Sequence, residues 1–200
     1  MTKCRLAVLA SHEGTTLQAV LDACAEPAFP WEVALVISNN AESGALRRAR
    51  AAGVSARHLS SQTHETSEAL DGAIRDALCD ARADLVLLAG YMKKLGPATL
   101  GAFPERIINT HPALLPKFGG QGMYGLHVHR AVLAAGERTT GASVHVVDAA
   151  YDTGPVIDQV EVPVEPDDTP ESLATRVQAR ERELVVRVLR RLRPPARLHP

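Results

Sequence analysis

The chain is poor in aromatic residues, 4% of 200 positions, and carries only three cysteines and a formal net charge of -1. Few aromatics argue against a stacking platform for single-stranded nucleic acid. The near-neutral charge argues against an extended phosphate-backbone footprint and leaves only a local basic patch open. Cys4, Cys24 and Cys79 are far apart and odd in number, with no C-x-x-C pair. Neither a disulfide framework nor a structural zinc site is supported, and three reduced thiols in a cytoplasmic protein are expected. Lys3 and Arg5 precede an apolar run of only five residues, so no signal peptide is predicted. No segment is long and apolar enough to cross a bilayer, and no membrane partner is expected. The chain has no G-x-G-x-x-G and no G-x-x-x-x-G-K-[ST] phosphate loop, so dinucleotide or ATP binding is unsupported. It has no G-x-S-x-G, and no cysteine stands near the residues singled out below, so nothing requires a covalent nucleophile.

What is present is a typical globular composition, with 46% hydrophobic residues, long enough to bury a core without disulfide or metal support. Apolar runs predict buried strands at Arg5–Ala10, Val33–Ser38, Val54–Leu59, Leu85–Ala89 and Arg106–Asn109. Between them, helices are predicted at Leu17–Cys24, Ala45–Ala52, Ser67–Arg82 and from Pro97. Thr15 or Thr16 is a plausible N-cap of the first. Alternation of this kind argues for a parallel sheet covered on both faces. A helix over His127–Ala135 follows, then two alternating strands at Gly141–Val147 and Val156–Val162, of which at least one is plausibly antiparallel. Thr169-Pro170 opens a long helix whose buried face is marked by Leu173, Val177, Leu184, Val188 and Leu192. The expected fold is α/β: a single-domain Rossmann-like open sheet, mostly parallel, with helices on both faces. The domain spans residues 1–192, and 193–200 forms a poorly ordered tail.

The stretch Ile107 to Pro155 holds most of the chemistry. Asn109 and His111 are two apart on an extended chain and point the same way. Pro112 biases His111 away from the α region and keeps that extension. A lone histidine at a strand end is usually structural, but the asparagine beside it changes the balance. Together they offer two donors to an oxygen that turns negative during acyl transfer. Asp152, in Asp148-Ala149-Ala150-Tyr151-Asp152-Thr153-Gly154-Pro155, reads by itself as a turn residue. Near His111 it would raise the imidazole pKa and favour the proton-donating form. His145 is read as structural, hydrogen-bonded inside or beside the site. His127 and His129 lack metal-ligand spacing, so no metal is expected. Gly14-Thr15-Thr16 sits between strand and helix, where backbone N–H groups suit a phosphate, although such turns are commonly ordinary βα connections. Gln178 and Glu181, three apart on the last helix, share a face.

Asn-Thr-His-Pro-Ala-Leu-Leu-Pro-Lys-Phe, Gly-Ala-Ser-Val-His-Val-Val-Asp and Tyr-Asp-Thr-Gly-Pro-Val together resemble the folate-dependent formyltransferases over about Arg5 to Leu192. The combination of spaced motifs is far more specific than any one piece. The resemblance implies a catalytic set of Asn109, His111 and Asp152. It implies a substrate-phosphate loop at Gly14, Thr15 and Thr16, and glycinamide contacts at Glu181 and Gln178. Folate contacts are implied at Met92, Lys93, Lys94 and Leu95, at Asn109, and along Asp148 to Asp152. The implied reaction moves a formyl group from 10-formyltetrahydrofolate, as co-substrate, to the amine of 5-phosphoribosylglycinamide in purine synthesis. The implied partners are small molecules, with no nucleic acid, and the chain acts as monomer or homodimer. The family also contains formyltetrahydrofolate hydrolases, sugar-nucleotide N-formyltransferases and enzymes acting on methionyl-tRNA. The extra N-terminal domain usual in the hydrolases and the C-terminal RNA-binding domain of the tRNA enzymes are not expected here. Three departures stand out. Many relatives carry Gly-Ser-Asn at Gly14-Thr15-Thr16, a family arginine is Ser67 here, and the loop Gly119 to Gly125 is longer than in many relatives.

Overall fold

The computed structural model describes residues 3–192, and the tail expected at 193–200 lies outside the described residues. The strands are β1 (Cys4–Leu9), β2 (Trp31–Ser38), β3 (Ser55–His58), β4 (Leu85–Leu88), β5 (Ile107–His111), β6 (Thr139–Val146) and β7 (Val156–Pro163). The helices are α1 (Thr15–Cys24), α2 (Gly44–Ala51), α3 (Ser67–Asp80), α4 (Pro97–Ala102), α5 (Leu126–Ala134) and α6 (Pro170–Arg191). The strands form one sheet in the order β3-β2-β1-β4-β5-β6-β7. Pairs β1–β2, β1–β4 and β2–β3 are parallel, whereas β5–β6 and β6–β7 are antiparallel. This is the mixed open α/β sheet expected. No described helix is long and apolar enough to cross a membrane.

The chain divides into two compact units, residues 1–107 with 189–200, and residues 108–188. In the first unit, β1 is central, and Leu6, Ala7, Val8 and Leu9 are all fully buried. A strand covered on both faces needs such an unbroken apolar run. Strand order reverses at β1, since β2 and β3 lie to one side and β4 to the other. Right-handed crossovers then put α1 and α2 on one face and α3 and α4 on the opposite face. The packing of α1 on α2 and of α3 on α4 agrees. Strand β2 begins two residues before the predicted Val33. The Trp31 indole is fully buried and donates to the Leu189 carbonyl at 2.7 Å, while Glu32 beside it stays exposed and pairs with Arg5.

Side chains cap α2, α3 and α6, whereas α1, α4 and α5 start at glycines with no side-chain cap bond. Ser43 and Thr66 accept from the Leu46 and Ala69 amides, capping α2 and α3. Thr169 and Ser172 bond reciprocally at the start of α6, at 3.1 and 3.0 Å. Neither Thr15 nor Thr16 caps α1. The N-cap is Gly14, left-handed at φ 68°, with no side-chain cap bond. A Cβ there would stand 2.8 Å from the Ala45 Cα, so close helix packing and positive φ together demand glycine.

In the second unit, β6 pairs on both sides. Strand β5 continues past the predicted end at Asn109 because its ladder with β6 continues: Asn109 faces His145, Thr110 faces Val144 and His111 faces Ser143. Asn-Thr-His interrupts the hydrophobic pattern but not the hydrogen bonding. Asn109 and His111 therefore stand on the strand rather than beyond its end. On α6 the buried positions include Leu173, Val177, Leu184 and Val188 as expected, with Ala174, Glu181, Val185 and Leu189 besides. Leu192 is only half-buried and lies past the helix end.

Candidate active site

In the second unit, β5 and β6 bring Asn109, His111 and His145 together with Asp152. Alternation on β5 sends Asn109 and His111 to one face and Thr110 to the other. On that other face the Thr110 hydroxyl donates to the buried Glu181 carboxylate at 2.9 Å. Gln178, one turn earlier on α6, is exposed, so the two helix residues expected to act together stand in different environments.

His111 is 3% exposed, and both of its ring nitrogens are engaged. Its Nε2–H donates to the Phe118 carbonyl at 2.7 Å, and its Nδ1 lies 3.4 Å from Asp152 Oδ2. Asp152 Oδ1 is also 3.4 Å from His145 Nε2, and Oδ2 accepts from the Gly120 amide at 2.9 Å. His145 Nδ1 lies 2.9 Å from the Val146 carbonyl, so it carries a proton and donates there. In the neutral ring Nε2 is then an acceptor for the Asn109 amide, 3.0 Å away. That bond fixes which way the Asn109 amide faces.

Burial pushes the His111 pKa down, and it stays below its ordinary 6.5 although Asp152 and the Phe118 carbonyl raise it. Asp152 raises the His111 pKa as expected, but burial lowers it by more, so the net shift is downward and does not favour the charged ring. The Asp152 carboxyl is pushed up by burial, yet His145, His111 and the Gly120 amide together hold it below 3.8. Asp152 is a carboxylate at neutral pH.

The backbone around this cluster is strained. Asp152 and Phe118 have φ values of 57° and 56°. Aspartate tolerates the left-handed region, but for a bulky residue it is an outlier that costs about 1–3 kcal/mol. At Phe118 that conformation aims a carbonyl at His111. At Gly119 a Cβ would stand 2.6 Å from Leu115 Cδ2 and 3.2 Å from Asp152 Cβ, so a side chain there would have to displace the Leu115 tip and crowd Asp152. The chain after His111 is pinned by Ser143, whose hydroxyl donates to the Ala113 carbonyl at 2.6 Å and accepts from the Leu115 amide at 3.0 Å. Gln159 bonds the same hydroxyl and the Leu115 carbonyl. Ser143 and Phe118 lie inside the quoted motifs, but sequence reading assigned neither a role in the site. The one available signal for Ser143 was a polar pair, Ser143 and His145, two apart on an otherwise apolar strand.

The loop from Asp148 is organised by its first residue, whose carboxylate accepts from the Ala150 amide and the Thr153 hydroxyl. In the first unit, Gly14 precedes α1 as described, with Thr15 exposed and Thr16 half-buried. Arg48 donates to the Glu13 carbonyl and to Gln18 Oε1. Met92, Lys93 and Lys94 are exposed and Leu95 is buried. Ser67 is the exposed first residue of α3. Among the described residues, no three His, Cys, Asp or Glu side chains are grouped so as to hold a metal ion.

A family model described as "Formyl transferase" matches residues 4–189. The chain is similar to the chloroplastic phosphoribosylglycinamide formyltransferase of Arabidopsis thaliana, 39% identical over 92% of this chain and 64% of that one. It is similar to the phosphoribosylglycinamide formyltransferase of Escherichia coli (strain K12), 39% identical over 88% of this chain and 81% of that one. Among solved structures it superposes on glycinamide ribonucleotide transformylase 1 from Symbiobacterium toebii with a TM-score of 0.88, at 42% identity, over 94% of this chain and 86% of that one. The chain spans less than two thirds of the length of the chloroplastic relatives, 64% and 60%.

Proposed function

The chain belongs to the formyl transferase family, and on that premise we propose that it transfers a formyl group from 10-formyltetrahydrofolate to the amine of 5-phosphoribosylglycinamide. The observation that carries this reading is the single network joining Asn109, His145, Asp152 and His111. Relatives at 35–39% identity named phosphoribosylglycinamide formyltransferase support the choice of acceptor.

The amine attacks the formyl carbon, its nitrogen forms the new C–N bond, and the carbonyl oxygen becomes an oxyanion. Asn109 has two amide hydrogens. One is held by His145, and the other is the donor to that oxyanion. His111 supplies the second donor when the formyl oxygen takes the place of the Phe118 carbonyl at Nε2. A neutral imidazole with its proton fixed on Nε2 can donate in this way. Asp152, ionised and facing Nδ1, steadies any proton that His111 gains. It also orders the water that carries a proton from the attacking nitrogen to folate N10 as the C–N10 bond breaks. No acyl-enzyme forms, and positioning of two bound reactants supplies a large share of the rate.

Gly14, Thr15 and Thr16 bind the substrate phosphate through backbone donors at the start of α1. Thr16 lacks the side-chain amide of many relatives. Glu181, with Gln178, contacts the glycinamide. Met92, Lys93, Lys94 and Leu95 contact the folate, with Asn109 and the Asp148–Asp152 loop. Residues 1–192 form one such domain, acting in the cytoplasm on small molecules without a metal. The test supplies 10-formyltetrahydrofolate with and without phosphoribosylglycinamide and follows release of tetrahydrofolate. Release that needs the amine is expected. Equal release without it would replace the transferase reading with a hydrolase.

A further inference from the structure

The segment Met92–Leu95 has no regular structure of its own, yet both of its ends are tied to buried side chains of the first unit. At its start, Ser11 makes three bonds. Its amide donates to the Gly90 carbonyl at 3.1 Å, its hydroxyl accepts from the Met92 amide at 2.8 Å, and the same hydroxyl donates to Asn39 Oδ1 at 2.5 Å. Gly90 is left-handed at φ 70°, so the chain turns sharply there and the Met92 amide comes back onto Ser11. At its end, the Asp71 carboxylate on α3 accepts from four donors: the amides of Gly96, Ala98 and Thr99, and the Thr99 hydroxyl. Ser11 and Asp71 are 3% and 7% exposed and Thr99 is fully buried, so water does not compete for these bonds. A Cβ on Gly96 would lie 2.4 Å from Asp71 Oδ2, so the carboxylate sits directly against the backbone.

We propose that Ser11 and Asp71 are positioning residues for the folate, clamping the two ends of Met92–Leu95 so that its backbone is preorganised for the ligand. The proposal rests on the folate contacts given to that segment above. It explains why a buried carboxylate is spent on capping so short a helix as α4: the bond to Gly96 fixes where the segment ends. Leu95 is buried between the clamps, which leaves Met92, Lys93 and Lys94 turned outward. Without the clamps the segment would have to be ordered by the ligand itself, at the expense of affinity.

Ser11→Ala removes the acceptor for Met92 and leaves its amide unpaired. Asp71→Asn is nearly isosteric, but one amide N–H must then face a backbone donor of Gly96, Ala98 or Thr99. For each variant and the parent protein, kcat, the KM for each substrate and the melting temperature are measured. Loss of one bond to a charged or buried group is worth about tenfold in affinity. The KM for 10-formyltetrahydrofolate is expected to rise about tenfold, with the KM for phosphoribosylglycinamide and kcat within about twofold. Ser11→Thr, which keeps the hydroxyl, restores the folate KM. Equal rises in both KM values, or a lower melting temperature with an unchanged folate KM, would overturn the proposal. If Asp71→Asn does not fold, the split in Ser11→Ala decides. A parent protein without amine-dependent turnover would reject the function itself, which separates that failure from failure of the clamp.

Discussion

Asn109→Ala tests the donor role proposed for the amide that faces His145. The substitution removes both amide hydrogens while leaving the β5–β6 ladder at that position intact, since Asn109 and His145 pair through the backbone as well. Losing one donor to an oxyanion costs about 10²–10³ in kcat, or about 2.7–4 kcal/mol. Neither KM should change much, because the bond strengthens only as charge develops. Stability falls by a smaller amount. His145 Nε2 loses the partner at 3.0 Å but keeps Asp152 at 3.4 Å, and the loss of one hydrogen bond costs about 0.5–1.5 kcal/mol. At about 2–4 °C per kcal/mol for a domain this size, melting falls by a few degrees. His145→Phe is the companion variant. It leaves Asn109 in place but frees the amide to turn its oxygen toward the substrate, which is expected to lower kcat by about 10²-fold through misplacement. Because His145 acts largely through Asn109, the double variant should stay within about tenfold of Asn109→Ala alone rather than show the product of both losses. Steady-state kinetics with both substrates reads all three variants. A kcat for Asn109→Ala within tenfold of the parent would refute the donor role. Multiplicative losses in the double variant would refute the orienting role of His145.

Asp152→Asn keeps a residue tolerant of positive φ but removes the charge that raises the His111 pKa. The limb of the pH–rate profile that belongs to His111 should therefore move to lower pH, and an unmoved limb would count against their coupling. The same shifts govern stability. His111 and His129 are both held below 6.5, so the unfolded chain takes up protons first and stability is lost as pH falls from about that value. Asp152, held below 3.8, adds a further loss as pH falls through its folded value. Melting temperature should decline from pH 7 to pH 5, and a rise over that range would contradict the shifts. Gly14→Ala forces a Cβ to within 2.8 Å of Ala45 and a left-handed backbone on alanine. It should destabilise by at least about 1–2 kcal/mol, and a melting curve like that of the parent would show the packing to be looser than it stands.

The elements were legible wherever hydrophobicity and capping pointed the same way. Leu6 to Leu9 and Leu85 to Leu88 read as buried strands because both of their faces are covered. Ser43 and Thr66 fit helix starts because their side chains do the capping. Sequence reading failed where tertiary packing decided. Gly14 displaced the two threonines as N-cap because of Ala45, a residue on the next helix whose approach no local rule records. Strand β5 ran on through three polar residues because β6 supplied their backbone partners.

The site shows the same division. That Asn109 and His111 point the same way was legible, since residues two apart on a strand share a face whatever surrounds them, whereas the approach of Asp152 to His111 depends on a distant turn. The protonation of the ring was not legible. A carboxylate 3.4 Å from an imidazole argues for a charged ring, and only the burial of the whole cluster reverses that. Nor could the sequence indicate that the proton on Nε2 is already committed to a carbonyl. That carbonyl belongs to Phe118, held left-handed beside Gly119, whose missing side chain leaves room for Leu115 and Asp152. The consequence is chemical. The resting imidazole has no idle donor, so substrate must compete with Phe118 for it. A formyl oxygen that is merely polar in the ground state competes poorly with an amide carbonyl, whereas the same oxygen carrying negative charge competes well. If His111 is the donor proposed above, the Phe118 carbonyl favours donation to the transition state over donation to the bound substrate, which is the condition for raising kcat rather than lowering KM.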